Sequence, residues 1–245
     1  MMIPKVIHYC WFGHKPLPSL ALKCIASWRK YLPDYEIKEW NEQNFDVNQN
    51  PYVEQAYRNK KYAFVSDFAR FKIMYEYGGV YFDTDVEVVK SLDDIIEKGS
   101  FWGMEPSESD GALYCAPGLG FGCVPGLDLC KEMIELYGSL NFYENGCCNL
   151  KTVVQYFSEL LMKKGIRLSL NVVKYEDVYI YPPEFFCPKS YKSGEIRLTE
   201  NTRTIHHYAA SWHGPKEILM RILTRFLGTE RIVAFWKRYM SLFGK

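Results

Sequence analysis

The feature that most constrains the fold is a helical pattern that ends at a glycine pair and continues directly as an apolar run. Residues 62–77 carry bulky apolar side chains at helical spacing, and Gly78 and Gly79 follow them. Glycine commonly follows the last turn of a helix, so the pattern predicts a helix Tyr62–Tyr77 and then a strand Val80–Val89. A helix that leads straight into a buried strand is typical of α/β proteins.

Apolar patterns on both sides extend this unit. A strand Lys5–Phe12, a helix Leu20–Tyr31 and a strand Tyr35–Trp40 are predicted before it. Further segments are predicted after it: strands Phe101–Glu105 and Gly118–Cys123, helices Leu127–Tyr137 and Leu150–Lys164, and a last core segment Ile205–Trp212. This order indicates an α/β sheet with right-handed crossovers, in which ligands gather at the carboxyl ends of the strands.

The overall composition excludes some classes of function. The 30 basic and 29 acidic residues nearly cancel, so no nucleic acid partner is expected. The eight cysteines lack C-x-x-C spacing, which indicates a reducing cytoplasm rather than a disulfide framework. The N-terminal MMIPKVIHYCWFG is interpreted as a first strand rather than a signal peptide, and no stretch is long enough to span a membrane. We expect one large domain.

Two carboxylates, Asp83 and Asp85, interrupt the apolar run YGGVYFDTDVEVV. A buried carboxylate without a partner costs roughly several kcal/mol, so this pair implies ion pairs or a bound cation. The two aspartates lie at alternate positions of the predicted strand, so the two side chains point to the same face and can meet one ion. Mg²⁺ and Mn²⁺ take few carboxylate ligands when substrate phosphates supply the rest. A bare D-x-D pattern is weak evidence, and a strand-end turn or a surface pair is the alternative.

The preceding helix carries a second polar group within VSDFAR. Asp67 and Arg70 are three residues apart, so both lie on one helical face just before the strand. A local ion pair explains this spacing as well as a binding site does.

The run AFVSDFARFKIMYEYGGVYFDTDVEVVKSLDDI resembles the DXD-containing sugar transferases of glycosyltransferase family 32, whose bacterial members build capsular and other surface polysaccharides. It is also similar to the catalytic domains of the large clostridial glucosylating toxins. The segments IPKVIHYCWFG, SWRKYLPDYEIKEWNEQNF and IHHYAASW fit the same pattern. The resemblance implies a GT-A type domain over residues 1–213: a single Rossmann-like nucleotide-sugar-binding unit with a mixed central sheet. A basic, amphipathic helical tail, residues 214–245, lies outside it.

The resemblance also implies roles for individual residues. Asp85 would ligate Mn²⁺ or Mg²⁺, and Asp83 would contact the donor ribose or sugar and hold metal-bound water. Asp67 and Arg70 would contact the donor sugar, so that Asp67, Arg70 and Asp83 form the expected catalytic set. Trp11 matches an aromatic residue that stacks on the nucleotide base, with ordinary core packing as the alternative. The expected donor-binding set is completed by Ser66 and Tyr81.

A C-terminal segment completes the expected site. By resemblance, His206, His207, Ser211 and Trp212 belong to a segment that closes over the diphosphate and completes the metal shell. Adjacent strand residues point to opposite faces, so at most one histidine is expected to reach the ion. Which of the two does so stays open.

The expected activity is a metal-dependent, retaining transfer from a nucleotide-sugar, most simply a UDP-sugar, to a surface glycan or a lipid-linked oligosaccharide. The resemblance implies a front-face displacement assisted by the leaving diphosphate, and no nucleophile is identified, since ENGCCNL matches the family poorly. One alternative is a catalytically inactive nucleotide-sugar-binding protein on the same scaffold. Another is a metal-dependent phosphohydrolase, for which the sequence lacks the further ligands of a two-metal site.

The tail supports an expectation about location. Its basic residues lie among bulky apolar ones, as in helices that bind the surface of an anionic membrane. A peripheral position at the inner face of the plasma membrane is therefore expected, and a helical pair docked on the core is the alternative.

Overall fold

The structure is a computed structural model that describes residues 2–107, 110–144 and 146–209. The predicted tail and two of the predicted site residues, Ser211 and Trp212, lie outside these ranges. Within them, no helix is both long enough and apolar enough to cross a membrane.

The described chain contains both helices and strands along its whole length. The helices are α1 (Ser19–Tyr31), α2 (Pro51–Arg58), α3 (Tyr62–Tyr77), α4 (Asp93–Ile96), α5 (Asp128–Gly138), α6 (Val153–Lys163) and α7 (Pro183–Phe186). The strands are β1 (Val6–Cys10), β2 (Glu36–Trp40), β3 (Gly79–Tyr81), β4 (Val86–Val88), β5 (Ser100–Pro106), β6 (Leu113–Cys115), β7 (Phe121–Cys123), β8 (Tyr143–Glu144), β9 (Cys147–Cys148), β10 (Val173–Tyr175), β11 (Val178–Tyr181) and β12 (Thr204–His206). The predicted helices are confirmed to within a few residues at each end.

The central sheet is mixed. Its strand order is β10-β11-β5-β7-β3-β1-β2, with β6 paired to β5 outside this path. β1 runs parallel to both β2 and β3, whereas β7 is antiparallel to its neighbours β3 and β5. The carboxyl ends of β1, β2 and β3 therefore meet at one edge, where ligands gather in α/β sheets.

Helix α3 packs against β1 and β3 of this sheet and is buried on most of its surface. Phe68, Phe71 and Met74 are almost fully buried in the larger of two apolar clusters. The helix ends at Gly78, whose φ of 61° suits glycine and whose added Cβ would collide with the Cys123 carbonyl and with Pro125. This turn brings the chain directly from α3 into β3, as the glycine pair predicted.

The predicted strand Val80–Val89 is wrong in one respect, because it is two strands in different sheets. β3 ends at Tyr81, the chain turns at Thr84 and Asp85, and β4 then pairs antiparallel with β12. The backbone N–H of Val86 closes this turn on the carbonyl of Asp83 at 3.1 Å. Asp83 and Asp85 therefore do not share a strand, and the argument that alternation aims them at one point fails.

One predicted strand and the predicted last core segment form strand over only part of their length. Within Gly118–Cys123, a 3₁₀ turn covers Pro117–Leu119 and β7 begins only after Gly120, which has a φ of 132°. Within Ile205–Trp212, the strand ends at His206. In the first segment the residues before Phe121 pair with no described strand, and in the second β12 is limited to the residues that pair with β4.

Candidate active site

Arg70 is the centre of a buried ion-pair network at the carboxyl end of β3. Its guanidinium nitrogen Nη2 lies 2.9 Å from Oδ1 of Asp67 and 3.2 Å from Oδ1 of Asp83, and Nε donates to the Ser66 carbonyl at 3.2 Å. The guanidinium also lies over the Tyr81 ring, 5.0 Å from its centroid. The helical pair that the sequence allowed as a purely local contact thus extends to the first aspartate of the D-x-D motif.

Burial controls the charges of this network. The side chain of Arg70 is 4% exposed. Burial opposes its charge, but Asp83, the Tyr81 hydroxyl and Asp67 outweigh this effect and keep the pKa of Arg70 above its ordinary value. Burial raises the pKa of Asp67 to about 7, although Arg70 acts to lower it. Arg70 is therefore firmly charged, whereas Asp67 can take up a proton near neutral pH.

Asp83 is held in place from three sides. Its Oδ1 accepts a hydrogen bond from the Tyr81 hydroxyl at 3.1 Å as well as the contact from Arg70, and its backbone N–H donates to the Gly118 carbonyl at 3.1 Å. An added Cβ at Gly118 would overlap the Asp83 carboxylate and lie 3.3 Å from Arg70. Glycine at position 118 therefore makes room for this carboxylate.

Asp85 has a different set of partners. Its Oδ1 lies 3.2 Å from Nε2 of His206, and its Oδ2 accepts the backbone N–H of Ala209 at 2.7 Å. Burial acts to raise its pKa, but the charge and hydrogen bond of His206 and the Ala209 N–H lower the pKa of Asp85 to about 2. Asp85 is therefore ionised, and it ties the D-x-D turn to the segment after β12.

The two predicted histidines face different carboxylates. His206 contacts Asp85, whereas Nε2 of His207 lies 2.7 Å from Glu87, which also pairs with Lys23 at 3.0 Å. Within the described residues, Nδ1 of His206 is buried and has no hydrogen-bond partner. Of the two, His206 is the one placed beside the D-x-D motif.

The residues present fit a divalent cation that is completed by a ligand. In the described part of the chain, no group of three or more histidine, cysteine, aspartate or glutamate side chains is arranged to hold an ion by itself. Mg²⁺ commonly uses one or two carboxylates plus substrate phosphates, and the ionised Asp85 meets this requirement. His206, whose Nε2 contacts Asp85, also has a buried Nδ1 without a hydrogen-bond partner among the described residues.

The remaining predicted donor residues lie in different environments. Trp11 is half-buried at the carboxyl end of β1, and its Nε1 donates to the Lys15 carbonyl at 2.6 Å. Tyr81 is only 1% exposed, and its hydroxyl donates a hydrogen bond to the Asp83 carboxylate. The hydroxyl of Ser66 donates to the Tyr62 carbonyl of its own helix at 3.2 Å.

One carboxyl group of the site was not predicted from the sequence. Glu105 lies at the carboxyl end of β5, close enough to His206 and Asp83 for their charges to affect its pKa. Burial raises the pKa of Glu105, while His206 and a hydrogen bond from Tyr208 act to lower it. The available signal was that Glu105 is an acidic residue at the end of the predicted apolar strand Phe101–Glu105.

Comparisons with known proteins find similarity to glycosyltransferases. Residues 18–102 match the family model described as a glycosyltransferase sugar-binding region containing a DXD motif. The chain is 33% identical over 107 residues to an uncharacterised glycosyltransferase of Acanthamoeba polyphaga mimivirus, a segment that covers 41% of this chain and 43% of the relative. It is 31% identical over 98 residues to inositol phosphoceramide mannosyltransferase 3 of Schizosaccharomyces pombe, covering 38% and 27%.

A solved structure supports the fold. The PaToxG glycosyltransferase superposes with a TM-score of 0.50 at 21% identity, over 66% of this chain and 70% of that one. The family match confirms the predicted resemblance to DXD-containing sugar transferases over residues 18–102, and the superposition confirms the GT-A type α/β fold. Each matched sequence segment spans less than half the length of the relative.

Proposed function

We propose that this chain, which carries the DXD-containing sugar-binding region of glycosyltransferases, is a metal-dependent retaining glycosyltransferase that uses a nucleotide-sugar. One observation carries the proposal: the buried Asp67–Arg70–Asp83 network lies at the carboxyl edge of the sheet, beside an ionised Asp85. A charged network that is this well enclosed is costly to keep, which favours a functional reason for it.

The balance of charge supports a bound cation. Ionisable groups at this site influence one another's pKa, and they comprise four acids and two bases: Asp67, Asp83, Asp85, Glu105, Arg70 and His206. Burial raises the pKa values of Asp67, Asp83 and Glu105, and a divalent cation beside them would favour their ionised forms. Asp85, with Asp83 nearby, would hold Mn²⁺ or Mg²⁺, and a bound cation would act as a Lewis acid toward the leaving diphosphate.

The protein's own residues would bind and orient the donor. Arg70 is fixed between two carboxylates, so it would meet the donor sugar without first losing side-chain freedom. Asp83, held by Tyr81, would accept hydrogen bonds from donor hydroxyls. The sugar would keep its anomeric configuration by a front-face displacement, in which the acceptor hydroxyl gives its proton to the departing phosphate oxygen.

The donor and the acceptor are proposed more broadly. A UDP-sugar is the simplest donor, and GDP-mannose is included as a candidate because one relative is named a mannosyltransferase. The acceptor is proposed to be a surface glycan or a lipid-linked oligosaccharide, reached by a cytoplasmic enzyme at the inner face of the membrane. Deletion of residues 214–245 should then abolish binding to anionic liposomes, and unchanged binding would exclude a role for the tail.

The decisive experiment measures the release of nucleotide diphosphate from a panel of UDP- and GDP-sugars with Mn²⁺. The parent should hydrolyse one donor slowly, and Asp85→Ala should not. Asp177→Ala, which changes an exposed aspartate in the turn between β10 and β11, is the matched control and should keep the parent rate. Donor binding without release would favour the catalytically inactive binding protein, and neither binding nor release would reject the proposal.

A further inference from the structure

We propose that Glu42 is a positioning residue that holds the loop Trp11–Lys15 in the shape that presents the Trp11 ring to the base of the donor nucleotide. The inference rests on the proposed function, because it assumes that a nucleotide binds at the carboxyl edge of the sheet. It adds a residue that neither the D-x-D motif nor the ion-pair network contains.

Glu42 joins three parts of the fold through one carboxylate oxygen. Its Oε1 accepts the backbone N–H of Gly13 at 2.6 Å and the Tyr57 hydroxyl at 3.0 Å. Nε2 of His14 lies 3.7 Å from the same oxygen. The side chain of Glu42 is only 12% exposed, and these bonds lower its pKa even though burial acts to raise it. Glu42 is therefore an ionised group that links the loop after β1 to helix α2.

The turn that carries Glu42 is itself well fixed. It follows β2 directly, and the backbone N–H of Phe45 donates to the Asn41 carbonyl at 2.9 Å. The side chain of Asn44 accepts the Asn41 N–H at 2.9 Å and donates to the Glu39 carbonyl at 2.9 Å. Because this turn is closed by its own hydrogen bonds, Glu42 can act as an anchor for the less regular loop opposite.

The loop that Glu42 holds has a conformation that needs such an anchor. Gly13 and His14 have φ values of 97° and 57°, both in the left-handed region that most residues avoid. The loop also lies against Tyr62, whose ring an added Cβ at Gly13 would overlap. A non-glycine residue such as His14 keeps this conformation only when its surroundings impose it.

The result of this arrangement is a fixed indole. The backbone N–H of Trp11 donates to the Trp40 carbonyl at 2.8 Å, and its Nε1 donates to the Lys15 carbonyl at 2.6 Å. The polar edge of the ring is thus occupied by the loop that Glu42 holds, while the ring stays half-buried. Trp11 also packs against the smaller apolar cluster, so the part of the ring that stays accessible is held in one orientation and would stack on a nucleotide base.

The test is a double-mutant cycle between Glu42 and Trp11, with UDP and Mn²⁺ as the probe and calorimetry as the measurement. Glu42→Ala should weaken UDP binding by roughly tenfold, because the loop loses its acceptor and the ring its position. Glu42→Gln should bind within about threefold of the parent, since the amide oxygen can still accept from Gly13 and Tyr57. Glu36→Ala, an exposed glutamate of β2, is the matched control and should leave the affinity unchanged.

The cycle separates positioning from general destabilisation. In a Trp11→Ala background, Glu42→Ala should cause no further loss of affinity, because Glu42 acts through the ring. Equal losses in both backgrounds, or parent-like affinity in Glu42→Ala, would overturn the inference while leaving the proposed function intact. If the parent binds neither UDP nor GDP, the proposed function fails and the inference falls with it.

Discussion

Replacement of Arg70 by alanine should destabilise the protein far more than the loss of an ordinary salt bridge. The guanidinium is 4% exposed and neutralises Asp67 and Asp83 together. Removing one partner of a buried ion pair costs about 3–5 kcal/mol, because the other charge is left in an apolar environment. We therefore expect Arg70→Ala to lower the free energy of unfolding by about 3–5 kcal/mol at pH 8.

The loss should depend on pH with a definite sign. The pKa of Asp67 is already raised to about 7 from an ordinary 3.8, and it would rise further without Arg70. A carboxyl group with a raised pKa in the folded protein costs stability as the pH increases through that range. At pH 6 the stranded Asp67 can take up a proton, so Arg70→Ala should be less damaging at pH 6 than at pH 8.

Urea unfolding at the two pH values measures both effects. Arg58→Ala is the matched control, since Arg58 forms an i,i+4 pair with Glu54 on helix α2 but is 74% exposed. That change should cost no more than about 0.5 kcal/mol. In a variant that lacks the Arg70 charge, Asp67→Asn removes the carboxylate that is left unpaired. The double variant Asp67→Asn with Arg70→Met should therefore be more stable than Arg70→Met alone. A loss below about 1 kcal/mol for Arg70→Ala, or a larger loss at pH 6, would refute the reasoning about buried charge.

Three further outcomes follow from the site. Gly118→Ala should abolish donor hydrolysis and lower the free energy of unfolding in urea by about 1–3 kcal/mol, because the added Cβ overlaps the Asp83 carboxylate. The control Gly138→Ala should retain activity, since its added Cβ meets nothing within 4 Å. Equal activities of the two variants would contradict this contact. The lowered pKa of Asp85 should supply up to about 2 kcal/mol of stability that is present above pH 4 and lost toward pH 2. The acid unfolding of Asp85→Asn should therefore lack this pH-dependent loss of stability. Identical acid-unfolding curves for the parent and Asp85→Asn would contradict the prediction. Chelation by EDTA should stop donor hydrolysis and Mn²⁺ should restore it, and full activity in EDTA would remove the cation from the proposal.

Local signals predicted much of the fold. Helix α3 begins and ends where its apolar spacing and the following glycine pair placed it. Helix α2 was missed, although Asn50 caps it by accepting the Val53 N–H at 2.9 Å and Pro51 occupies its first turn. Both signals are readable in a sequence, but the helix is short and its apolar positions are few. Such signals define where a helix can begin, and they are weaker when little apolar surface supports the rest of it.

Signals that depend on distant partners could not be read in the same way. An apolar run does not reveal where a strand changes its neighbour, and the break between β3 and β4 depends on the pairing of β4 with the distant strand β12. The need for glycine at position 118 arises from Asp83, and the role of Glu42 arises from a loop near the N-terminus. Each is a contact between segments that come together only in the folded chain.

The break in the predicted strand also explains how one short motif can serve two purposes. If Asp83 and Asp85 lay on one strand, they would compete for the same partners and repel each other at short range. Because of the turn between them, Asp83 pairs with Arg70 whereas Asp85 pairs with His206. The first carboxylate is thereby joined to the helix that would contact the donor sugar, and the second to the segment that follows β12. Because the same turn links both partners, a ligand that bridges the two carboxylates would couple that segment to the donor-binding helix.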